Sequence, residues 1–496
     1  VSLAGTPSAQ TYINGASNIA MTGINITAGT GKDIKVTSIK LTAEGNAGKS
    51  CETESNCVLT VGLYDGETMI GELKSLSGTT VTFNNLSLNV TKGTTKTIVV
   101  KTSLNTLSSV AAGTTLKMSV AANTDVTAQD SDGNAITLSG TVTGPAHTVL
   151  GAGSIAGTLA PDEVNLTESR IVLAGNTEET LAKFKFSATN EDLKLSKIRI
   201  KLSANTAEEV ASLALYDGST KLTNDAVPTN DGGIYVDSKT LTVKANLNTT
   251  SAGSASGTTI TASVDFDTNF EFRGNNSNTV LTTVGAADID GRAMTIRKTK
   301  PTLVENNLSN TSLVNGSENE VYNFTVSADA KEDVAVRQMV FATTLTDNVG
   351  TADTLVADGW KLYRNGSDIT SLATLTDDDG ALVTGGNAIE EGDTFIKVLL
   401  SDEVIAKGTS NVYTLRTTVT GFSHGSDDDS ITVKLNSDAV LADTTNTAAG
   451  VIAEGATKYN FVWYDNSATS HALTTEDWTN GYQLKNLPFS GKTINN

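Results

Sequence analysis

The sequence is short of the residue types on which several common protein functions depend. Its 496 residues include 35 Lys and Arg against 55 Asp and Glu, a formal net charge of −20. This balance argues against nucleic acid as a partner, because phosphate contacts require clustered basic side chains. The chain has only three His, in separate regions, and none has the spacing of a hydrolase or HExxH motif. We therefore predict that the protein is not an enzyme.

Long apolar segments and cysteines are also scarce. No stretch approaches the roughly 20 consecutive apolar residues of a membrane-spanning helix, so no transmembrane segment is expected. The only cysteines, Cys51 and Cys57, lie six positions apart in a polar segment. This spacing favours a local disulfide and an oxidising, extracellular compartment. The alternative is half of a zinc site, for which neither a CxxC pattern nor a nearby His is present.

Aromatic residues make up only 5% of the chain, while Thr, Ser, Asn, Ala and Gly are abundant. Thr and Val fit pleated, half-buried surfaces, and Gly, Asn and Asp supply turns. Helical patterns rich in Leu, Glu and Lys are nearly absent. The composition therefore predicts an all-β protein.

One sequence pattern occurs three times in the chain, over residues 21–43, 181–204 and 321–344. In each copy two alternating apolar residues are followed by an Ala and a polar turn that ends in Asp33, Asp192 or Asp333. After that Asp, apolar residues stand at offsets +1, +3, +6 and +8. Self-similarity of this kind indicates a chain built from repeated modules.

The offsets contain a break in parity between +3 and +6. Because side chains alternate faces along a strand, a step of three requires an inserted residue or a change of sheet. We therefore predict a β-bulge or strand break near residues 37–38, 196–197 and 337–338. The repeated Asp is expected to cap a turn by accepting hydrogen bonds from nearby backbone amides.

A second short motif repeats only twice. Lys92-Gly93-Thr94 and Lys407-Gly408-Thr409 precede strands with apolar residues at matching offsets, whereas the second repeat lacks this tripeptide. Short strands with frequent turn signals and no helical pattern between them are typical of antiparallel β-sandwiches.

We predict three tandem immunoglobulin-like antiparallel β-sandwich domains, over residues 1–148, 149–299 and 300–458. A C-terminal extension, residues 459–496, carries two of the three Trp. Such concentrated aromatic surface usually anchors a segment, so we expect it to pack on the third domain or on a neighbouring molecule.

One acidic loop has the opening pattern of a calcium site. Asp130, Asp132 and Asn134 place oxygen ligands at alternate positions, and Ca²⁺ is therefore a candidate cofactor. The bidentate Glu that closes an EF-hand loop is missing at the required offset. The alternative is an exposed turn in an acidic protein.

With these motifs in view, the chain resembles the tandem β-sandwich surface proteins of candidate-phylum (Patescibacteria-type) bacteria. The resemblance is carried by LAKFKFSATNEDLKLSKIRIKL at 181–202, GRAMTIRKTKPT at 291–302 and VWYDNSATSHALTTEDWTNGYQLKNLP at 462–488. It is weaker over residues 1–148. It implies a secreted protein of the cell surface and transfers no catalytic residues.

The sequence therefore favours a structural subunit that associates with itself in an S-layer-like lattice. A filament polymerised by terminal strand exchange is the second hypothesis, based on residues 1–20 and the aromatic tail. An adhesin, with exposed Trp and Tyr stacked on sugars, is the third. The expected partners are other copies of the chain and, for the third hypothesis, a glycan of the cell envelope.

Overall fold

The computed structural model of the protein describes residues 1–160, 169–227, 240–266, 270–277, 279–282, 287–347, 354–422, 429–441, 459–468, 472, 474–475 and 477–496. Strands dominate this part of the chain and pair mainly antiparallel, in three successive immunoglobulin-like β-sandwiches. The predicted fold class is therefore confirmed.

The first sandwich holds the described strands up to residue 150. They are β1 Ser2–Leu3, β2 Thr11–Ile13, β3 Ile19–Thr27, β4 Ile34–Gly45, β5 Val58–Asp65, β6 Thr68–Lys74, β7 Thr80–Val90, β8 Thr95–Leu104, β9 Thr115–Ser119, β10 Val126–Asp130, β11 Ala135–Thr137 and β12 His147–Leu150.

The second sandwich follows after three residues. Its described strands are β13 Ser154–Leu159, β14 Arg170–Leu173, β15 Glu179–Thr189, β16 Leu193–Lys197, β17 Arg199–Leu202, β18 Val210–Asp217, β19 Thr220–Lys221, β20 Thr240–Leu247, β21 Thr259–Ile260, β22 Ala262–Asp265, β23 Glu271–Gly274, β24 Val280–Leu281, β25 Ile289–Asp290 and β26 Met294–Arg297.

The third sandwich again begins three residues later. Its described strands are β27 Pro301–Glu305, β28 Ser317–Ala328, β29 Val334–Thr346, β30 Val356–Arg364, β31 Ser367–Asp368, β32 Ala373–Thr376, β33 Phe395–Ile405, β34 Ser410–Thr420, β35 Ser430–Leu435, β36 Phe461–Tyr464, β37 Trp478–Asn480 and β38 Lys492–Asn495.

Helix is limited to single turns in the described residues. One α-helical turn covers Glu54–Cys57, and 3₁₀ turns cover Asn123–Asp125, Ala207–Glu209, Thr250–Ala252 and Thr370–Leu372. Within these same residues, no helix has the length and apolar character needed to cross a bilayer.

The three sandwiches share one strand order. One sheet runs β1-β3-β8-β5-β6 in the first, β13-β15-β20-β18-β19 in the second and β27-β28-β34-β30-β31 in the third. In the facing sheet, a strand near the start of each of the first two units runs parallel to the last strand, as β2 with β12 and β14 with β26. The repeated sequence pattern therefore corresponds to a repeated topology.

The predicted parity break is a β-bulge in all three units. The strand register slips between Val36 and Ser38, between Leu195 and Lys197, and between Val336 and Gln338. The extra residues are Thr37, Ser196 and Arg337, and the side chain of each bonds to a backbone carbonyl of a neighbouring strand. This prediction is confirmed.

A second bulge recurs at the start of the repeated pattern. The register slips around Met21, Leu181 and Val321, each of which is buried. A buried apolar residue stands three positions later in every copy (Ile24, Phe184 and Phe324), so the same parity argument applies here too. Each repeat therefore contains two bulges.

Each unit has its own apolar core, but the second and third cores meet at one strand. In β14, Ile171 and Leu173 pack into the third core, whereas Val172 packs into the second, as does Ala174 just beyond the strand. Side chains alternate between the two faces of a strand. In β14 one face packs into the core of the second domain and the other face packs into the core of the third. The second and third sandwiches are thus packed directly together.

The C-terminal segment is part of the third sandwich. Phe461, Trp463, Phe489 and Ile494 lie in the third core, β36 pairs with β29, and β38 pairs with β35. The boundary drawn at residue 458 therefore falls within one core. Of the two expected positions for residues 459–496, the segment takes the one on the third domain and supplies its last strand.

Candidate functional site at the domain junctions

Cys51 and Cys57 form a disulfide, with an S–S distance of 2.01 Å. Both residues are buried in the core of the first sandwich, between β4 and β5. Carbonyl and side-chain atoms of Cys51 lie so close to Gly45 that a Cβ on that glycine would overlap them. The bridge therefore fastens the β4–β5 connection to the core as well as closing its own loop.

Two of the repeated aspartates bind the twice-repeated tripeptide. Asp33 Oδ1 accepts a hydrogen bond from the Lys92 amide, and Asp333 Oδ1 accepts one from the Lys407 amide, both at 2.8 Å. These carboxylates cap a turn, but one that lies 59 and 74 positions further along the chain. The repeated Asp and the Lys-Gly-Thr tripeptide, found as separate motifs in the sequence, are thus hydrogen-bonded to each other in the first and third sandwiches.

Asp192 is the equivalent residue of the second repeat, but it makes a different contact, through its backbone. Its backbone carbonyl accepts a hydrogen bond from the Asn275 amide at 2.9 Å. The stretch of the second repeat that corresponds to the tripeptide turn falls in residues 228–239, outside the described residues.

The loop with the calcium-like opening is closed by a lysine. Asp130 Oδ1 accepts from the amides of Asp132 and Asn134 at 2.9 Å each, and Asp130 Oδ2 lies 3.0 Å from Lys32 Nζ. Lys32 also pairs with Asp132. The hydrogen bond from Lys32 holds the pKa of Asp130 at about 2.

These residues do not fit a calcium site. The Lys32 ammonium already pairs with both carboxylates and stands where a cation would bind, and Ca²⁺ needs six to eight oxygen ligands. More widely, no group of three or more His, Cys, Asp or Glu suited to a metal is found among the residues that the structure describes.

The first junction is organised around a buried carboxylate. Glu191 accepts hydrogen bonds from the Gly153 amide of the linker at 3.1 Å, and from the Asn276 and Ser277 amides at 2.9 Å each. The Ser277 hydroxyl donates a fourth at 2.6 Å. Burial raises the pKa of Glu191, but these donors outweigh it and the net pKa is lowered. Glu191 thus fixes the linker to the second sandwich.

The second junction contains a buried arginine. Arg297, at the end of β26, donates to Thr479 Oγ1 of the tail at 2.8 Å. Desolvation lowers the pKa of Arg297, while the nearby charges of Asp465 and Asp477 raise it. All four side chains are buried. A cation of the second domain is therefore enclosed by polar and acidic groups of the third.

The linker at this junction is held by the same tail. Asp465 accepts hydrogen bonds from the Lys298 amide at 2.8 Å and from the hydroxyl of Ser256. Lys298 Nζ donates to the Asn466 carbonyl at 2.8 Å and pairs with Glu332 at 3.2 Å. The tail therefore joins the second and third sandwiches.

A cleft of about 920 Å³ opens at this junction. Its walls come from β14, from the start of β27 with the linker before it, and from residues 481–487 of the tail. Four basic side chains line it: Arg170, Arg292, Lys300 and Lys485. A smaller cleft of about 530 Å³ lies at the first junction, between Tyr12 and Asn276.

The tryptophans are structural. Trp360, Trp463 and Trp478 are all fully buried. The indole of Trp463 donates to the Asn480 carbonyl at 2.8 Å. They therefore do not offer the exposed rings that the adhesin hypothesis requires.

No protein family and no curated protein matches this chain. Among solved structures, a putative membrane-anchored protein of Corynebacterium diphtheriae aligns at 8% identity over 88% of this chain and 86% of its own, with a TM-score of 0.19. Fibronectin(III)-like modules of Clostridium thermocellum CbhA align at 10% identity over 59% and 92%, with a TM-score of 0.14. The C-terminal domain of the Streptococcus agalactiae antigen I/II polypeptide BspA aligns at 9% identity over 57% and 95%, also with a TM-score of 0.14. Likenesses this weak carry no functional argument.

Proposed function

We propose that the protein is a structural subunit of the cell surface that assembles with copies of itself into an S-layer-like extracellular lattice. The observation that carries this proposal is an open apolar sheet edge on the first sandwich, formed by β6 and its neighbour β5. We call it the β6 edge.

The β6 edge differs from the equivalent edges of the other two sandwiches. β6 has seven residues and ends its sheet, whereas β19 and β31 have two residues each. Met69 and Leu73 on β6 are 42% and 52% exposed, and Leu59 on β5 is 52% exposed. Free main-chain groups beside exposed apolar side chains are suited to pairing with another chain.

The junctions supply the second property that a lattice subunit needs, which is a fixed shape. Both linkers have three residues, 151–153 and 298–300. Glu191 fastens the first, and Asp465 fastens the second. Short, hydrogen-bonded linkers restrict the angle between domains, so that contacts at one end of the subunit set the position of the other.

The filament hypothesis is less favoured by the contacts of the N-terminal segment. β1 pairs with β3, and β2 pairs with β12. Strand exchange through residues 1–20 would first have to break these intramolecular bonds. The lattice requires no such rearrangement.

The test is negative-stain microscopy and sedimentation of the purified protein over a concentration series. We expect sheets or large oligomers for the natural sequence and loss of assembly for the double variant Met69→Lys, Leu73→Lys. Leu372→Lys is the matched control, because Leu372 is 51% exposed on the third sandwich. It should assemble normally.

Two outcomes would count against the proposal. A protein that stays monomeric at every concentration would remove self-assembly altogether. Assembly that survives the double variant but fails on deletion of residues 1–20 would favour the filament.

A further inference from the structure

The cleft at the second junction is basic in an otherwise acidic protein. Of its 17 lining residues four are Lys or Arg, whereas the whole chain has 35 in 496. This is about three times the average density. The four come from parts of the sequence as distant as residues 170 and 485, so folding alone brings them together.

The two acidic residues in the cleft are engaged with the protein. Glu179 pairs with Arg170 at 3.0 Å and accepts from the Asn176 amide group at 2.8 Å. Asp438 accepts from the backbone amides of Asn460 and Gly481 at 2.6 and 2.7 Å. Both carboxylates are thus already held by the protein, and the charge of Glu179 also acts favourably on Lys300.

Lys300 is the most enclosed of the cations. Burial lowers its pKa; the charges of Glu179 and Asp329 raise it, and those of Arg170 and Lys485 lower it. Its recorded hydrogen bond is a long one, 3.4 Å to the Ile171 carbonyl. Within the described part of the chain, neither Lys300 nor Lys485 nor Arg292 forms an ion pair. A bound anion would offset the cost of burying the Lys300 ammonium.

The remaining groups in the cleft suit a ring with hydroxyls. Tyr482 is half-buried and presents an aromatic surface, which can stack on a sugar face. Gln483 supplies an amide group from the tail loop, whereas the Asn486 side-chain amide already donates to the Leu303 carbonyl at 2.9 Å.

We propose that this cleft binds an anionic saccharide, with the carboxylate of a uronic-acid ring held by Lys300, Lys485 and Arg292 and the ring itself placed against Tyr482. The site lies at the junction of the second and third sandwiches, away from the β6 edge on the first. It therefore does not depend on self-assembly, and binding is expected for the monomer as well as for the assembled protein.

The experiment is calorimetric titration of the full chain with a galacturonate tetrasaccharide at low salt. The fully methyl-esterified tetrasaccharide is the matched neutral probe, and inorganic phosphate is the plain anion. We expect heat of binding with the acidic saccharide alone. Lys485→Ala and Arg292→Ala should each weaken binding about tenfold, because each removes one charge-assisted hydrogen bond. Both residues are exposed, so the fold should be unaffected.

Lys49→Ala is the control, since Lys49 is an exposed lysine on the first sandwich, and it should bind as the natural protein does. Equal binding of the esterified saccharide would overturn the role of charge. Equal binding of phosphate would overturn the role of the sugar. Absence of binding, or binding that neither cleft variant weakens, would overturn the site itself. Loss of assembly in the β6-edge variant with saccharide binding retained would separate this inference from the proposed function.

Discussion

Replacing Arg297 with Met should destabilise the third sandwich, although Arg297 belongs to the second. The substitution keeps an unbranched side chain of comparable length, so the loss of packing is small. It removes the bond to Thr479 and the positive charge with which the buried Asp465 and Asp477 interact. Removing one partner from a buried ionic group typically costs about 3–5 kcal/mol.

Tryptophan fluorescence isolates this effect. The three Trp, at 360, 463 and 478, all lie in the third sandwich, so an unfolding curve followed by their emission reports that unit. For a unit of 150–250 residues, 1 kcal/mol corresponds to a shift in Tm of about 2–4 °C. A loss of 3 kcal/mol should therefore lower the fluorescence midpoint by roughly 6–12 °C.

Arg199→Met is the matched control. Arg199 pairs with Asp265 at 3.2 Å, and both residues lie within the second sandwich. This variant should weaken the second sandwich, seen by far-UV circular dichroism, and leave the fluorescence midpoint nearly in place. The reasoning would be refuted if Arg297→Met did not move that midpoint, or if Arg199→Met moved it equally.

Four further results are expected. Asp333→Ala should lower the fluorescence-monitored free energy of unfolding by about 1–2 kcal/mol, since a backbone amide loses a charged acceptor; an unchanged curve would show that the bond is not stabilising. Replacing Cys51 and Cys57 with Ser should cost the first sandwich up to about 2 kcal/mol, the entropy of closing so short a loop, and spare the fluorescence transition. Gly153→Ala should loosen the first junction, because its Cβ would lie 2.6 Å from one side chain and 2.8 Å from another, whereas Gly151→Ala has only ordinary contacts; small-angle scattering that gives both variants the same dimensions would contradict this. EDTA should leave the calorimetric melting of the first sandwich unchanged, and a drop in Tm would restore the calcium hypothesis.

The bulges show how far a sequence pattern can predict this fold. Alternation of side chains is a local rule, so the parity break placed the bulges near residues 37–38, 196–197 and 337–338 without any knowledge of their partners. The same rule applied to Met21 and Ile24 would have found the second bulge. The all-β fold class could be predicted because turn residues and β-branched residues each favour a particular local backbone conformation.

The contacts at the domain junctions could not be predicted from the sequence, because they join residues that are far apart along the chain. Asp333 and Lys407 belong to two motifs that each repeat, yet nothing in one sequence shows that they touch. Neither the burial of Arg297 nor the proximity of Arg170 and Lys485 has a local signal. The nearest available hint was the joint occurrence of Asp and the Lys-Gly-Thr tripeptide in two of three repeats.

The parallel pairing of an early strand with the last strand also determines how the chain responds to tension. In the first two sandwiches, an early strand lies beside the last strand and runs in the same direction, as in β14 with β26. A pull on the two ends of such a domain draws these strands past each other along their length, so that their hydrogen bonds bear the load together and do not open one at a time. Because the linkers have only three residues, they can extend very little before the strands begin to shear. A layer of such subunits would resist stretching elastically, and domain rupture would be its mode of failure.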